Sequence, residues 1–254
     1  MGVADTGHTR VLDLDLDLFV HGVAHHVVPR SGERLSDDEY PVWDVDDAIA
    51  YLRTTCLLDG PLPGCAVEHH GELFDWWRDG IQRGQLVPPF DVAHLDAHAD
   101  LGEGESSWSY LLREVLFWDL ERRQYPKEGE GHLTDGSYLA FAVACHWVAK
   151  VDYVYCPGGG SDLSPMVMEG FDGHGDHVHL APISKAAYRA LMDGPARSLG
   201  LKSNEPRVPI RQIKAVDYQA AEPFDVVCLS RSPEFTPPGA DAIYDAIRDE
   251  FIDA

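Results

Sequence analysis

The chain has 254 residues, 44% hydrophobic and 25% charged, which is enough apolar material for one large core over residues 1–254. Its 43 acidic residues outnumber 20 basic ones, and the formal net charge of −23 speaks against nucleic acid or anionic lipid as partners while favouring cations and cationic substrates. No apolar run is long enough to cross a membrane.

The predicted elements alternate between strands and helices. Val11–Leu18 reads as a strand with aspartate at every second position. Asp46 or Asp47 is placed to cap a helix through Ala48, Ile49, Tyr51 and Leu52. Cys65–Glu68 is a short strand leading to a helix with Leu73, Phe74, Trp76 and Trp77. Phe90–Leu95 is a third strand, and Trp108–Leu120 a helix carrying Tyr110, Leu111, Val115 and Leu116 on one face. Asp135 is placed to cap a helix from Tyr138 to Trp147, with a strand over Val151–Tyr155 after it. Cys156–Pro182, rich in Gly, Pro and His, reads as loop with room for a hairpin. A helix near Ala186–Met192, strands near Ile213–Val216 and Asp225–Leu229, and a helix over Ala240–Phe251 complete the chain. Such alternation implies an α/β fold, a three-layer αβα sandwich whose mainly parallel sheet binds ligands beyond the carboxyl ends of its strands.

The five cysteines (Cys56, Cys65, Cys145, Cys156, Cys228) are odd in number, scattered and never spaced C-x-x-C. That pattern suits small buried hydrophobes in a reducing cytoplasm better than a disulfide framework or a thiolate zinc site. The opening Met1–Thr6 fits a loose N-myristoylation pattern that is short enough to arise by chance.

The chemistry-bearing residues gather where strands end. Asp91–Leu95 runs directly into Asp96, His98 and Asp100, spaced by two, and an extended segment turns such side chains the same way. Carboxylates joined by an imidazole form a hard oxygen–nitrogen site that suits Mn²⁺ rather than a soft thiolate metal. Upstream, Asp13, Asp15 and Asp17 share one strand face, where they repel one another unless cations compensate. Asp15 and Asp17, nearest the strand end, are the favoured metal ligands, with Asp13 the alternate. Glu68-His69-His70-Gly71-Glu72, at a strand–helix junction, offers an imidazole, His70 in preference to His69. A rival set, His174, His177 and His179, lies in a Gly-rich segment that reads as a loop or an entrance lining. Past the last strand, Glu234 can either grip a cationic head group or pair with Arg231.

Asp96-Ala97-His98-Ala99-Asp100 resembles the Asp-Ala-His-x-Asp signature of the ureohydrolase superfamily of arginases and agmatinases. The Asp-x-Asp strand lies at the N-terminus instead of downstream, and Glu68-His69-His70 stands where Gly-Gly-Asp-His is usual. That order, with Ser232-Pro233-Glu234-Phe235 late, is similar to the peptide arginases, which convert arginine side chains of ribosomally made peptides to ornithine. The resemblance spans roughly positions 11 to 238.

It implies an arginase-like fold and two Mn²⁺ ions. His70, Asp96, Asp100 and one N-terminal aspartate would hold one ion, and Asp96, His98 and the Asp15/Asp17 pair the other. Asp100 would also orient the nucleophile, Glu234 would receive the guanidinium of an arginine-containing peptide, and relatives often form homo-oligomers. The proton-shuttling histidine has no clear match, and His94, His132 and His146 stay open. The alternatives are a small-molecule arginase or agmatinase, a deacetylase of the same fold, and a non-catalytic protein that binds metal or peptide. A deacetylase uses one Zn²⁺ with about three protein ligands, fewer than the carboxylates and histidines available here. Gly102–Ser107 and residues 156–182 are expected to govern access.

Overall fold

The computed structural model describes residues 7–25, 27–28, 30–102, 106–160, 162–193 and 203–253. The acylation pattern at Met1–Thr6 and part of the Gly102–Ser107 loop lie outside them.

Eight strands, β1 (Arg10–Asp15), β2 (Leu62–Val67), β3 (Phe90–Leu95), β4 (Val148–Tyr155), β5 (His177–Val178), β6 (Val208–Lys214), β7 (Val226–Ser230) and β8 (Ile252–Asp253), form one sheet in the order β5-β6-β4-β3-β1-β7-β2-β8. Every neighbouring pair is parallel except β5 against β6. The helices are α1 (Val45–Thr55), α2 (Glu72–Gln82), α3 (Ser107–Arg113), α4 (Leu120–Arg123), α5 (Tyr138–Ala144), α6 (Lys185–Asp193) and α7 (Asp241–Phe251).

The period-2 alternation of the central strands sorts their side chains into two cores. Val11, Val92, Val226 and Cys228 pack with Leu73, Phe74 and Trp77 of α2, Leu111 of α3 and Phe141 of α5. Leu12, Leu14, Ala93, Leu95, Val227 and Leu229 pack with Ala48 and Leu52 of α1 and Ile243 and Ile247 of α7. Helices therefore cover both faces, as the alternating pattern predicts for an α/β sandwich. Close approach inside the sheet demands glycine once. A Cβ on Gly64 of β2 would lie 1.8 Å from the Val227 carbonyl oxygen.

Several boundaries differ from the sequence reading, each for a local reason. β1 stops at Asp15, because the Asp15 carboxylate accepts the Asp17 N–H and turns Leu16–Phe19 into a 3₁₀ helix. Leu16 and Leu18 stay fully buried even so. Asp44, not Asp46 or Asp47, caps α1, and the two later carboxylates fill its first turn, where the helix dipole favours them. The helix expected over Trp108–Leu120 is α3, a 3₁₀ turn at Val115–Phe117 and then α4. Asp135 caps nothing in α5: its Oδ1 accepts the Gly71 N–H at 3.0 Å and faces Arg30 at 3.3 Å. β6 lies earlier than Ile213–Val216, and the pairing of β8 beside β2 was not anticipated. The Gly-rich segment does form a hairpin-like pairing, with Met168 bridging Val178 of β5.

The strand order reverses at β1, which has β3 on one side and β7 on the other. Crevices form at such switch points, beyond the carboxyl ends of the strands. The ends of β1, β2, β3 and β7 meet there. All five cysteines are free and buried, and among the described residues no helix is long and apolar enough to cross a membrane.

Candidate metal centre

His70 follows β2 and enters α2, so its ring drops into the sheet's carboxyl edge and is 2% exposed. Its Nε2 lies 2.9 Å from Asp13 Oδ1. Its Nδ1 lies 3.0 Å from Asp15 Oδ2, 3.0 Å from Asp96 Oδ2 and 2.9 Å from Asp100 Oδ2. None of those oxygens is in line for a hydrogen bond, and Nδ1 is left as a buried nitrogen without a partner. Buried polar groups are almost always paired, so an orphan of this kind asks for an explanation. A buried nitrogen and three carboxylate oxygens drawn this close together form a group that can hold a metal ion.

A second set adjoins the first. Asp17 Oδ2 is 3.0 Å from His98 Nδ1, and Asp96 Oδ1 is 3.6 Å from the same nitrogen. His98 Nε2 is 3.1 Å from the Ala24 carbonyl. A carbonyl only accepts, so Nε2 donates its proton there, and Nδ1 is the nitrogen that faces the Asp17 and Asp96 carboxylates. Asp96 thus turns Oδ2 to the first set and Oδ1 to the second. These buried Asp/His clusters can hold metal ions.

The turn that carries Asp96, His98 and Asp100 is fixed peptide by peptide. Asp17 Oδ1 accepts the Ala97 N–H at 3.0 Å, Asp96 Oδ1 the His98 N–H at 2.7 Å, and Asp162 Oδ2 the Ala99 N–H at 2.7 Å. Tyr153 donates its hydroxyl to the Ala97 carbonyl at 3.0 Å. Asp100 takes a left-handed backbone, φ 49°, which the turn imposes on a non-glycine residue. The segment after β4 packs so closely that a Cβ on Gly159 would lie 2.5 Å from the Ala97 oxygen. Across the crevice, Ser232, also left-handed at φ 44°, donates its hydroxyl to Asp15 Oδ2.

The electrostatics match the geometry. Among the described residues, the ion-pair partners of Asp15, Asp17, Asp96 and Asp100 are histidines only, with no Lys or Arg. Burial, with Asp96 nearby, pushes Asp100 up to about 7. Burial, Asp96 and Asp15 push Asp17 well above the usual carboxylate range. Burial pulls His98 down, but its bonds to Asp17 and Asp96 prevail and raise it to about 12. His70 is raised in the same way against its burial, by Tyr138, Asp13 and Asp100. Asp96 drops well below the usual range, as His70 and His98 outweigh its burial, and Asp13 is lowered too, against its burial, by His70 and His94. The cluster draws in protons because it is short of positive charge, and bound cations would displace them.

No protein family, characterised protein or solved structure matches the chain.

The remaining residues singled out in the sequence fall into place around this centre. Asp13, the alternate ligand, lies behind His70 at Nε2, away from the three carboxylates at Nδ1. His94 is fully buried with both nitrogens engaged, Nδ1 2.9 Å from Asp13 Oδ2 and Nε2 3.1 Å from the His98 carbonyl. That position holds the turn and leaves no nitrogen for a proton shuttle. His132 packs edge-on against Tyr110, and His146 lies 2.7 Å from Glu205, so neither joins the cluster. His177 pairs with Asp176 at 2.7 Å on the far edge strand, where Glu169, Asp176 and His177 form a separate, more open group.

Glu234 is 4% exposed, just past β7. Its Oε1 accepts the Gly32 N–H at 3.0 Å, and Oε2 is 3.7 Å from His69 Nδ1. Arg231 turns instead to Glu68 at 3.5 Å, so the two do not pair. Phe235, next in sequence, meets the His98 ring edge-on at 5.0 Å. Sequence reasoning gave no role at the site to Tyr138, Tyr153, Asp162 or Ser232. The only available signal was a tyrosine on a fully apolar helix, Tyr138, whose buried hydroxyl needs a partner.

Proposed function

We propose that the protein is a peptide arginase, a binuclear manganese hydrolase of arginase-like fold that converts arginine side chains to ornithine and urea. The observation that carries this reading is Asp96, with one oxygen turned to each of two Asp/His sets, and a buried carboxylate, Glu234, just past the end of β7, next in sequence to the Phe235 that meets His98. Charge supports two divalent ions. Asp15, Asp17, Asp96 and Asp100 bring four negative charges, and two neutral imidazoles bring none. Spacing supports a small, octahedral ion: ligands about 2.1 Å from such an ion stand about 3 Å from one another, close to the separations around His70 Nδ1. The oxygen-rich donor set favours Mn²⁺ over a thiolate-loving metal.

On this reading His70, Asp15, Asp96 and Asp100 hold one ion, and Asp96, Asp17 and His98 hold the other, with Asp15 adjoining. When bound, the ions supply an acidified water and neutralise charge as the reaction proceeds. The chain's own residues do the rest. Glu234 pairs with the guanidinium and fixes where its central carbon lies. Asp100, the most open of the four ligand carboxylates at 7% exposure, orients the water that attacks this carbon. The water oxygen bonds to the carbon, the bond to the side-chain nitrogen breaks, and that nitrogen takes up a proton. Ornithine and urea result. The acidic surface draws an arginine-bearing peptide toward the crevice.

The test is mass spectrometry of the Mn²⁺-loaded protein with an arginine-containing peptide and, separately, with free arginine. Conversion lowers the peptide mass by about 42 Da per arginine, through the hydrolysis a two-metal site supports. Peptide turnover without free-arginine turnover supports peptide tailoring. Turnover of free arginine alone makes the enzyme a small-molecule ureohydrolase. No mass change in a protein that demonstrably holds two metals overturns the arginase reading.

A further inference from the structure

Asp13 is fully buried beneath the cluster. Three donors converge on its carboxylate. His70 Nε2 lies 2.9 Å from Oδ1, while His94 Nδ1 at 2.9 Å and the Tyr138 hydroxyl at 2.5 Å meet Oδ2. An ionised carboxylate can only accept, so it requires a proton on His70 Nε2, and in the neutral ring the lone pair is then on Nδ1. Nδ1 is the nitrogen ringed by Asp15, Asp96 and Asp100. Asp13 also reaches the second set indirectly, because the His94 that it holds binds the His98 carbonyl through Nε2 at 3.1 Å. The parallel register places Asp13 directly opposite His94, so neighbouring strands β1 and β3 build this link into the sheet.

We propose that Asp13 is a positioning residue, which fixes the tautomer and ring angle of His70 for metal binding and is itself held by Tyr138 and His94. The proposal rests on the reading of His70 as a metal ligand. Outer-shell carboxylates that orient a ligating histidine typically govern metal affinity by about 10–100-fold. Asn fits the space of Asp13, yet its NH₂ group faces a donor whichever way it is turned. Tyr138→Phe keeps the ring, which lies 4.7 Å from His70, and removes one of the three donors.

The experiment is Mn²⁺ titration of the wild type, Asp13→Asn and Tyr138→Phe, with metal content after dialysis and the metal-induced rise in Tm as readouts. The expected result is a drop of about 10–100-fold in affinity at one of two sites in Asp13→Asn, and a smaller drop in Tyr138→Phe. A Co²⁺-loaded Asp13→Asn protein at saturation should keep the wild-type visible spectrum, since no direct ligand has been lost. A changed spectrum would make Asp13 a ligand and overturn the positioning role. A lower metal-free Tm with unchanged affinity at both sites would leave only a packing role and overturn it as well. If Asp13→Asn does not fold, Tyr138→Phe decides, and wild-type affinity in that variant overturns the proposal. A wild-type chain that binds no divalent ion overturns the metal reading itself, and the proposal with it.

Discussion

Asp152 and Asp96 are both buried aspartates, one within β4 and the other just past the end of neighbouring β3, and their surroundings are opposite in kind. Arg211 grips Asp152 with two nitrogens at 2.7 Å, and Lys150 stands 3.0 Å away. Asp96 instead meets imidazoles and further carboxylates, with no lysine or arginine among the described residues at ion-pair distance. A buried charge needs a counter-charge. At Asp152 the fold provides one from its own side chains. At Asp96 it provides, among the described residues, only histidines, in a cluster that can hold a metal ion.

The sharpest way to break this contrast is to neutralise each aspartate in turn. Asp96→Asn should lower metal affinity by more than about 100-fold, beyond the range of an outer-shell partner, and activity should fall with it. Calorimetry of the metal-free variant should show a lower Tm, because Asp96, against its burial, is held below the usual carboxylate range by His70 and His98 and that contribution is lost. An unchanged Tm there would mean that the histidines do not compensate Asp96 without metal. Glu234→Gln separates substrate from metal. Peptide conversion should fall on the order of 100-fold, as expected for losing one partner of a buried charge-assisted pair, while metal content measured by elemental analysis stays at the wild-type level.

Chelation comes next in size. Removing metal held at one hundred times its Kd should cost the wild type about 2.7 kcal/mol, seen as a drop in Tm, and should cost Asp96→Asn almost nothing. Asp152→Asn behaves the other way. It should lose about 2 kcal/mol through the broken charge-assisted hydrogen bonds and bind metal normally. The smallest effect is its pH dependence. Burial would raise the Asp152 carboxyl, but Arg211 and Lys150 prevail and hold it below the usual range. A lowered native value contributes stability above the unfolded value of about 3.9 and loses it as pH falls through the native one. The stability gap between wild type and Asp152→Asn should therefore stay constant from neutral pH to about pH 5 and close below about pH 4. Chemical denaturation across that range measures it, and a gap that widens in acid would reverse the sign.

Much of the architecture was legible because short apolar runs in β1, β3 and β7, buried on both faces, alternate with helix-period stretches. β3 matches its expected bounds, Phe90–Leu95, residue for residue. The gathering of Asp15, Asp17, Asp96, His98 and Asp100 was legible for the same reason, since all lie at or just past the ends of adjacent strands. What lay hidden was set by tertiary partners. Nothing local says that Asp15 will cap a 3₁₀ turn and move Asp17 off the strand, nor that Asp13 faces the back of His70. β6 was placed too late because Pro209, Arg211 and Gln212 break its apolar pattern, and Pro209 is tolerated because it precedes the ladder to β4, which begins at Ile210. Asp135 carried a plausible capping signal that Gly71 and Arg30 claimed instead.

The burial of every cysteine has a practical consequence. Only a thiolate attacks an alkylating reagent, and burial pushes the Cys56, Cys145 and Cys156 thiols up, with Cys156 reaching about 12. The folded chain should therefore be silent toward maleimide. The five thiols are also divided between the two helical layers, Cys65, Cys145 and Cys228 in one core and Cys56 and Cys156 in the other. Peptide mapping after a labelling pulse would then report which layer opens first, making the native chain its own two-channel recorder of unfolding.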